Sequence, residues 1–310
     1  MRPTVPVLGT VPGWGGRHSP VCGALLTLVL LAITGCASRP ERTPSEAWTD
    51  WKQERSESIA GTNGWATLVG LQWLEEGRQP LEIPTAAGPV LAGWMIRDGR
   101  RVQFQAADPT VVTHRGRPVT ARWLRTDAGG RSPDVLMCAG VRFFVIQRGE
   151  RLGVRMKDPE ARARREFHGL EYFPYQPAWR ITGTFEPHRP PRTLPITDVT
   201  GTTQLEPCPG RLRFEVNGRG YMLEALLDEE AGDFFVLFRD GTSGRTTYGS
   251  GRFLHVARED AAGKVVIDFN FAYNPPCAFT PFATCPIPPR SNWLPFEVPA
   301  GERVYGTGEH

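Results

Sequence analysis

From Trp65 onward the chain is a succession of short apolar or alternating runs cut by Gly, Pro and Asp. Side chains on a strand alternate between two faces, so runs of this length and period suit half-buried strands, and the punctuating residues supply the turns. The expected fold class is mainly β: an N-terminal helix, then a β-sandwich (together 44–158), a boundary segment (159–178) and a second antiparallel β module (179–310). In the first module strands are expected at 66–73, 90–96, 101–105, 111–114, 119–124, 141–148 and 152–157, with Asp98-Gly99 as a hairpin turn. So many short strands in one stretch read as a sandwich.

The clearest hairpin lies in the second module. Leu212, Phe214 and Val216 alternate, Asn217-Gly218 tolerates the positive φ of a type I′ turn, and 221–226 returns. Strands at 179–187, 234–239, 246–256 and 265–271 extend this into a meander, with a last strand near 293–298 after a Pro-rich excursion at 274–289. Pro187, Pro190, Pro191 and Pro195 are expected to force an extended, weakly structured crossing.

Ahead of the strands, Thr43-Pro-Ser-Glu46 has the residues of a capping box with proline at the first helical position. A helix of about four turns follows, with Trp48, Trp51, Arg55 and Ile59 on one face and Gly61 as its end. The two tryptophans are expected to pack it on the body.

The first 35 residues hold Arg2 and Arg17 but no acid, and an apolar run at 24–33 precedes Thr34-Gly35-Cys36. That order of basic, apolar and small residues is a signal peptide (1–35), since the run is short of the roughly 20 residues that span a bilayer. Ile-Thr-Gly-Cys at 33–36 resembles the bacterial lipobox, which implies cleavage before Cys36, a lipid on that cysteine that leaves a diacylated, usually triacylated, N-terminus with chains such as palmitate, and a spacer at 36–43. The implied location is the cell envelope, outside the cytoplasm, in the outer membrane where the organism has one.

Without the two N-terminal arginines the net charge falls from +3 to +1, and only Lys52, Lys157 and Lys264 are lysines. No basic patch dominates, so nucleic acid is not an expected partner. The expected partners are the membrane, through the lipid, and a small-molecule ligand.

Four stretches carry a family resemblance: 65–77 (WATLVGLQWLEEG), 164–175 (RREFHGLEYFPY), 238–249 (FRDGTSGRTTYG) and 268–289 (DFNFAYNPPCAFTPFATCPIPP). Together they resemble the bacterial domain of unknown function 1684 family over most of 45–305, a resemblance that implies no particular activity. The first module also resembles a forkhead-associated sandwich through His114-Arg-Gly-Arg-Pro-Val119 ahead of a Phe-Phe-Val-Ile strand. Gly77-Arg78 matches the phosphate-reading pair of such domains, but no Ser-x-x-His follows, so phosphopeptide binding is not expected.

No His-Glu-x-x-His, P-loop or Gly-x-Ser-x-Gly occurs, and no cofactor or metal is expected. Ser243 reads as a turn residue. Cys277 and Cys285 enclose seven residues, a spacing unlike that of structural zinc pairs, which suits a disulfide closing the Pro-rich loop; a reactive thiol or a metal pair is the alternative. Cys138 and Cys208 are unassigned. Glu166, His168, Glu171, Tyr172 and Tyr175 form a polar-aromatic cluster at the module boundary, read as an interdomain contact because Gly169 and nearby prolines oppose a helix there.

The candidate site gathers Asp240, Thr242, Tyr248, Arg252, Asp268, Asn270, Tyr273 and Asn274. By period two, Val266, Asp268 and Asn270 share one face of a strand, with Arg252 or Tyr248 supplied by the neighbouring strand. Such a site suits small-molecule binding, with an extracytoplasmic hydrolase using Asp, Tyr and Asn as the alternative. A purely structural lipoprotein, with the same residues as a buried network, is the third reading.

Overall fold

The computed structural model describes residues 43–229 and 231–306. The expected signal peptide, Cys36 and most of the spacer lie outside the described residues. The described residues form one compact unit. None of its described helices is long and apolar enough to cross a membrane.

Helix α1 (Pro44–Ala60) starts as the capping signature requires: the Glu46 N–H donates to Thr43 Oγ1 at 3.3 Å, and the Thr43 N–H donates to Glu46 Oε2 at 2.8 Å. Trp48, Arg55 and Ile59 are its buried face. Grouped with the sandwich by sequence order, the helix docks on the second module instead. Trp48 Nε1 donates to the Asn270 carbonyl at 2.8 Å, and Arg55 reaches Glu302 and the Asn274 carbonyl.

The first module contains β1 (Leu68–Trp73), β2 (Gly77–Ile83), β3 (Val90–Asp98), β4 (Arg101–Ala106), β5 (Val112–His114), β6 (Arg117–Pro118), β7 (Ala121–Leu124), β8 (Leu136–Cys138), β9 (Val141–Arg148) and β10 (Arg151–Lys157). One sheet runs β1-β10-β9-β8-β5-β6 and the other β2-β3-β4-β7. Their inward faces share one core that includes Leu81, Met95, Phe104, Phe143 and Val154, which makes the module a sandwich. Sequence reading missed β2, whose apolar alternation is diluted by Arg78, Gln79 and Pro80, and β8, which is three residues long.

After the short α2 (Arg162–Arg165), the second module contains β11 (Arg180–Thr197), β12 (Thr203–Val216), β13 (Arg219–Asp228), β14 (Asp233–Phe238), β15 (Arg252–Val256) and β16 (Lys264–Asp268). They form one antiparallel sheet in the order β15-β14-β13-β12-β11-β16. The Asn217-Gly218 turn joins β12 to β13 with φ of 51° and 71°, as a type I′ turn demands. The Pro-rich crossing belongs to β11, whose pairing with β12 shifts register between Pro187 and Arg192. Because β11 spans this break, the prolines make a bulge inside a strand instead of an unstructured link.

Two expectations fail on topology. Strands β15 and β16 lie at opposite ends of the sheet order; the sheet curls so that Phe253, in β15, pairs with Tyr273 just beyond β16. The expected strand at 265–271 stops at Asp268, and Phe269–Phe271 is a 3-10 turn capped by the Asp268 carboxylate. Asn270 therefore does not share a strand face with Val266 and Asp268. Residues 246–251 and 293–298 are also irregular. The second module's sheet carries apolar cores on both faces, and one of them includes Ile59 of α1, Tyr248, Phe253, Cys277 and Cys285.

Candidate functional site

Seven of the eight residues singled out by sequence fall into four hydrogen-bonded groups. Arg252 is wholly buried, with Asp240 Oδ2 2.9 Å from Nη2, which also donates to the Val298 carbonyl at 2.9 Å; Nη1 reaches the Ala300 carbonyl. Asp240 Oδ1 accepts from the Thr242 hydroxyl at 2.6 Å and the Val298 N–H at 3.1 Å, and Thr242 meets Thr247 at 2.8 Å. Gly251 precedes Arg252 at φ 100°, and a Cβ there would lie 2.5 Å from the Phe238 carbonyl oxygen. Only glycine lets β15 enter at that distance.

Asn274 belongs to the second group. Its N–H donates to Glu302 Oε2 at 2.8 Å, its carbonyl accepts from Arg55 at 2.7 Å, and its amide donates to the Arg303 carbonyl at 2.7 Å. Burial raises the Glu302 carboxyl above its ordinary range, opposed by Arg55. Asn270 forms the third: Oδ1 accepts the Gln176 N–H at 2.9 Å, and Nδ2 donates to the Gln176 carbonyl at 3.0 Å and to Asp268 at 2.8 Å. Burial also raises the Asp268 carboxyl.

The fourth is an Asp-His-Tyr array. Tyr273 Oη lies 2.9 Å from His255 Nε2, and His255 Nδ1 lies 3.0 Å from Asp233 Oδ1. Burial holds the Tyr273 phenol above its usual range. Asp228 completes a set of donor atoms that lie within 4.8 Å of one another with Asp233 and His255. Tyr248 stands apart from all four groups, in the apolar cluster with Cys277 and Cys285.

None of the eight lines the cleft of about 510 Å³ that opens where the sandwich meets the second sheet. Its wall comes from Arg148 at the end of β9, Ile196 and Asp198 at the end of β11, Gln204 and Glu206 of β12, Leu226 to Asp228 of β13, Phe235 of β14, and Thr284 and Pro286 of the Pro-rich loop. Arg148 crosses the seam: Nε donates to Thr284 Oγ1 at 3.1 Å and Nη1 to Asp127 at 2.9 Å. Asp198 Oδ1 accepts three bonds from Thr200 and Thr202, while Oδ2 is buried without a hydrogen-bond partner. Arg155, 5% exposed, has no carboxylate partner among the described ion pairs and donates to Thr284 at 3.4 Å. Burial, reinforced by Arg148, lowers its guanidinium to about 10.

The Pro-rich loop also carries the two expected disulfide partners. Cys277 and Cys285 are both buried free thiols in this structure, and the Cys277 N–H donates to Cys285 Sγ at 3.1 Å. The boundary cluster disperses among structural contacts. Glu166 pairs with Arg162 and Glu171 with Arg303, while Tyr172 and Tyr175 pack 5.9 and 5.7 Å from Trp48.

Sequence reading missed a further group on three adjacent strands. His188 Nε2 lies 2.7 Å from Glu224 Oε2, Cys208 Sγ donates to the same oxygen at 3.3 Å, and Arg192 donates to Oε1 at 2.5 Å. The available signal was a histidine held among prolines at a break in strand alternation. Nothing local links it to residues 208 and 224.

A helix-braced body of two antiparallel β modules, with a cleft at their seam, is the class of structure defined here. Residues 165–303 match the family described as protein of unknown function (DUF1684), which places that domain in the family. Among solved structures it is similar to an uncharacterized protein of Haloarcula marismortui determined by solution NMR, at 35% identity over 45% of this chain and 78% of that chain, with a TM-score of 0.38. No curated protein matches it.

Proposed function

We propose that the chain is a lipid-anchored protein of the cell envelope that binds a small molecule in the cleft between its two modules. The anchor rests on the order of basic, apolar and small residues ending at Cys36. The observation that carries the binding reading is Asp198: a wall residue of the cleft keeps one carboxylate oxygen buried and unpartnered, which costs free energy unless a ligand or water completes it. The cleft volume lies within the usual range for small-molecule sites.

Its chemistry points to a class of ligand. Asp198, Glu206, Asp228 and Glu229 line it against the single guanidinium of Arg148, which Asp127 and Thr284 already engage. Leu226, Leu227 and Phe235 supply apolar wall. A molecule with an amine or hydroxyl-rich head and an apolar portion meets both.

Native mass spectrometry of full-length protein, extracted in mild detergent from its host, tests this. A small molecule should accompany the wild type, be lost from Leu227→Trp, which fills the cleft, and be weakened in Asp198→Asn. The same bound species in all three, or none in the wild type, overturns the proposal.

The Asp233–His255–Tyr273 array supports a second reading, as a hydrolase. With His255 Nδ1–H directed at Asp233, Nε2 accepts the Tyr273 phenol, the arrangement by which a carboxylate orients an imidazole toward a proton donor. The raised phenol keeps its proton at neutral pH and so sustains the hydrogen bond to Nε2. Phe235 places this array beside the cleft, its ring 5.1 Å from that of His255. Tyr273→Phe should then abolish ester or glycoside hydrolysis and leave cleft binding unchanged.

A further inference from the structure

We propose that His188, Cys208 and Glu224 form a binding site for a zinc-class divalent cation, separate from the cleft. The site rests on a junction of three strands. Glu224 comes from β13, Cys208 from β12 and His188 from β11. Between Pro187 and Arg192 the β11 register shifts, so that Pro187 opposes Gly210 and Arg192 opposes Cys208. Residues 188–191 thus stand against a single residue of β12, and the bulge turns both His188 and Arg192 onto the Glu224 carboxylate. Bulges commonly re-aim side chains at functional positions.

The donor set is imidazole nitrogen, thiol sulfur and carboxylate oxygen, all within 4.8 Å of one another. A tetrahedral zinc holds such donors at about 2.0–2.3 Å, which separates them by roughly 3.3–3.8 Å. Here the His188–Glu224 and Cys208–Glu224 separations are 2.7 and 3.3 Å, the compact form that hydrogen bonds give when protons occupy the space between. A small outward movement of His188 admits the ion. A mixed sulfur, nitrogen and oxygen set selects a borderline-soft cation over magnesium or calcium, which prefer oxygen alone.

The surroundings are built as a metal site's outer contacts are. Arg192 holds Glu224 Oε1 and leaves Oε2 to the other donors. Asn292 clamps the Glu224 backbone, its Oδ1 accepting the N–H at 2.7 Å and its amide donating to the carbonyl at 2.9 Å. Such second contacts orient ligands. Cys208 is fully buried, and the side chains of His188 and Glu224 are 14% and 11% exposed, so an ion enters from the His188 side. Burial, with Glu224 adding to it, pushes the Cys208 thiol up to about 11. Binding replaces the S–H bond with an S–metal bond, and the thiol proton leaves to solvent. With Arg192 kept on Glu224, the assembly holds one unneutralised positive charge, which the half-exposed guanidinium shares with water.

Cobalt(II) titration of the full-length, chelator-stripped protein tests the site, because thiolate bound to cobalt produces an intense near-ultraviolet charge-transfer band. The expected result is one equivalent bound with that band, displaced stoichiometrically by zinc. Cys208→Ser should remove the band while the circular dichroism spectrum is kept, and His188→Ala, at the exposed side, should weaken binding at least tenfold. If Cys208→Ser fails to fold, His188→Ala decides. No band in the wild type overturns the proposal. A band that persists in both variants also overturns it, and transfers the thiolate to Cys277 and Cys285.

Discussion

Arg55 Nε donates to Glu302 Oε1 at 2.7 Å, an ion pair with both side chains buried that ties the first helix to the end of the described chain. Removing one partner of such a pair leaves a buried charge uncompensated, which costs about 3–5 kcal/mol. Arg55→Met should lose that much in urea unfolding, and adding Glu302→Leu should restore most of it. Burial already raises the Glu302 carboxyl, and without Arg55 it rises further. A folded-state pKa above the unfolded one means that the folded protein holds the proton more tightly. Arg55→Met should therefore be most stable at low pH and lose stability as pH rises through that value, measured between about pH 4 and pH 8.

Among the described residues, Asp240 is the only carboxylate paired with the wholly buried Arg252. Asp240→Ala should destabilise the second module by about 3–5 kcal/mol in chemical denaturation. Arg252→Lys should not substitute, because one ammonium cannot replace a fork that meets Asp240 and the carbonyls of Val298 and Ala300. Retention of the cleft ligand at low temperature should be unaffected, and its loss in the folded variant would place this network in the binding site.

In the sandwich, burial works against the Asp134 carboxylate. Bonds from the Arg125 N–H and side chain and from Arg122 outweigh it, and lower it to about 2. A depressed folded pKa contributes stability that is present above the unfolded value and lost as pH falls through the folded one. Asp134→Asn should remove about 2 kcal/mol at neutral pH, and the loss should shrink between about pH 4 and pH 2 in guanidinium unfolding.

Export should oxidise Cys277 and Cys285, which the structure already sets side by side. Intact mass of non-reduced protein should show two hydrogens fewer, and Cys277→Ser should cost about 2–3 kcal/mol. Both thiols found free in the exported protein would remove the disulfide.

Lipidation at Cys36 is tested in the native host. Cys36→Ala should abolish acyl labelling and leave an uncleaved or mislocalised precursor, and normal processing of the variant would refute the anchor.

Features that depend on neighbouring residues were legible in the sequence. The Thr43–Glu46 cap, the buried face of α1, the Asn217-Gly218 hairpin and most strands of the sandwich follow from turn chemistry and side-chain period, which act over a few residues. The need of the polar residues of 240–274 for partners follows from their burial, since buried polar groups require them. Their partners were not legible. Arg252 meets Asp240 and three carbonyls where Asp268 was expected nearby, and Asn270 turns to Gln176.

Those choices belong to the tertiary structure alone. Strand β16 pairs with β11 at the far side of the sheet from β15. Which apolar faces close on one another decides strand order, and a period-two pattern is the same whichever neighbour a strand takes. The same closure brings Arg148 of the sandwich over Thr284, buries Asp198 Oδ2 without a partner in the cleft wall, and gathers His188, Cys208 and Glu224 from three strands. Each of these sites is a meeting of residues far apart in the chain, so no local signal encodes it; the burial of the cores around it does.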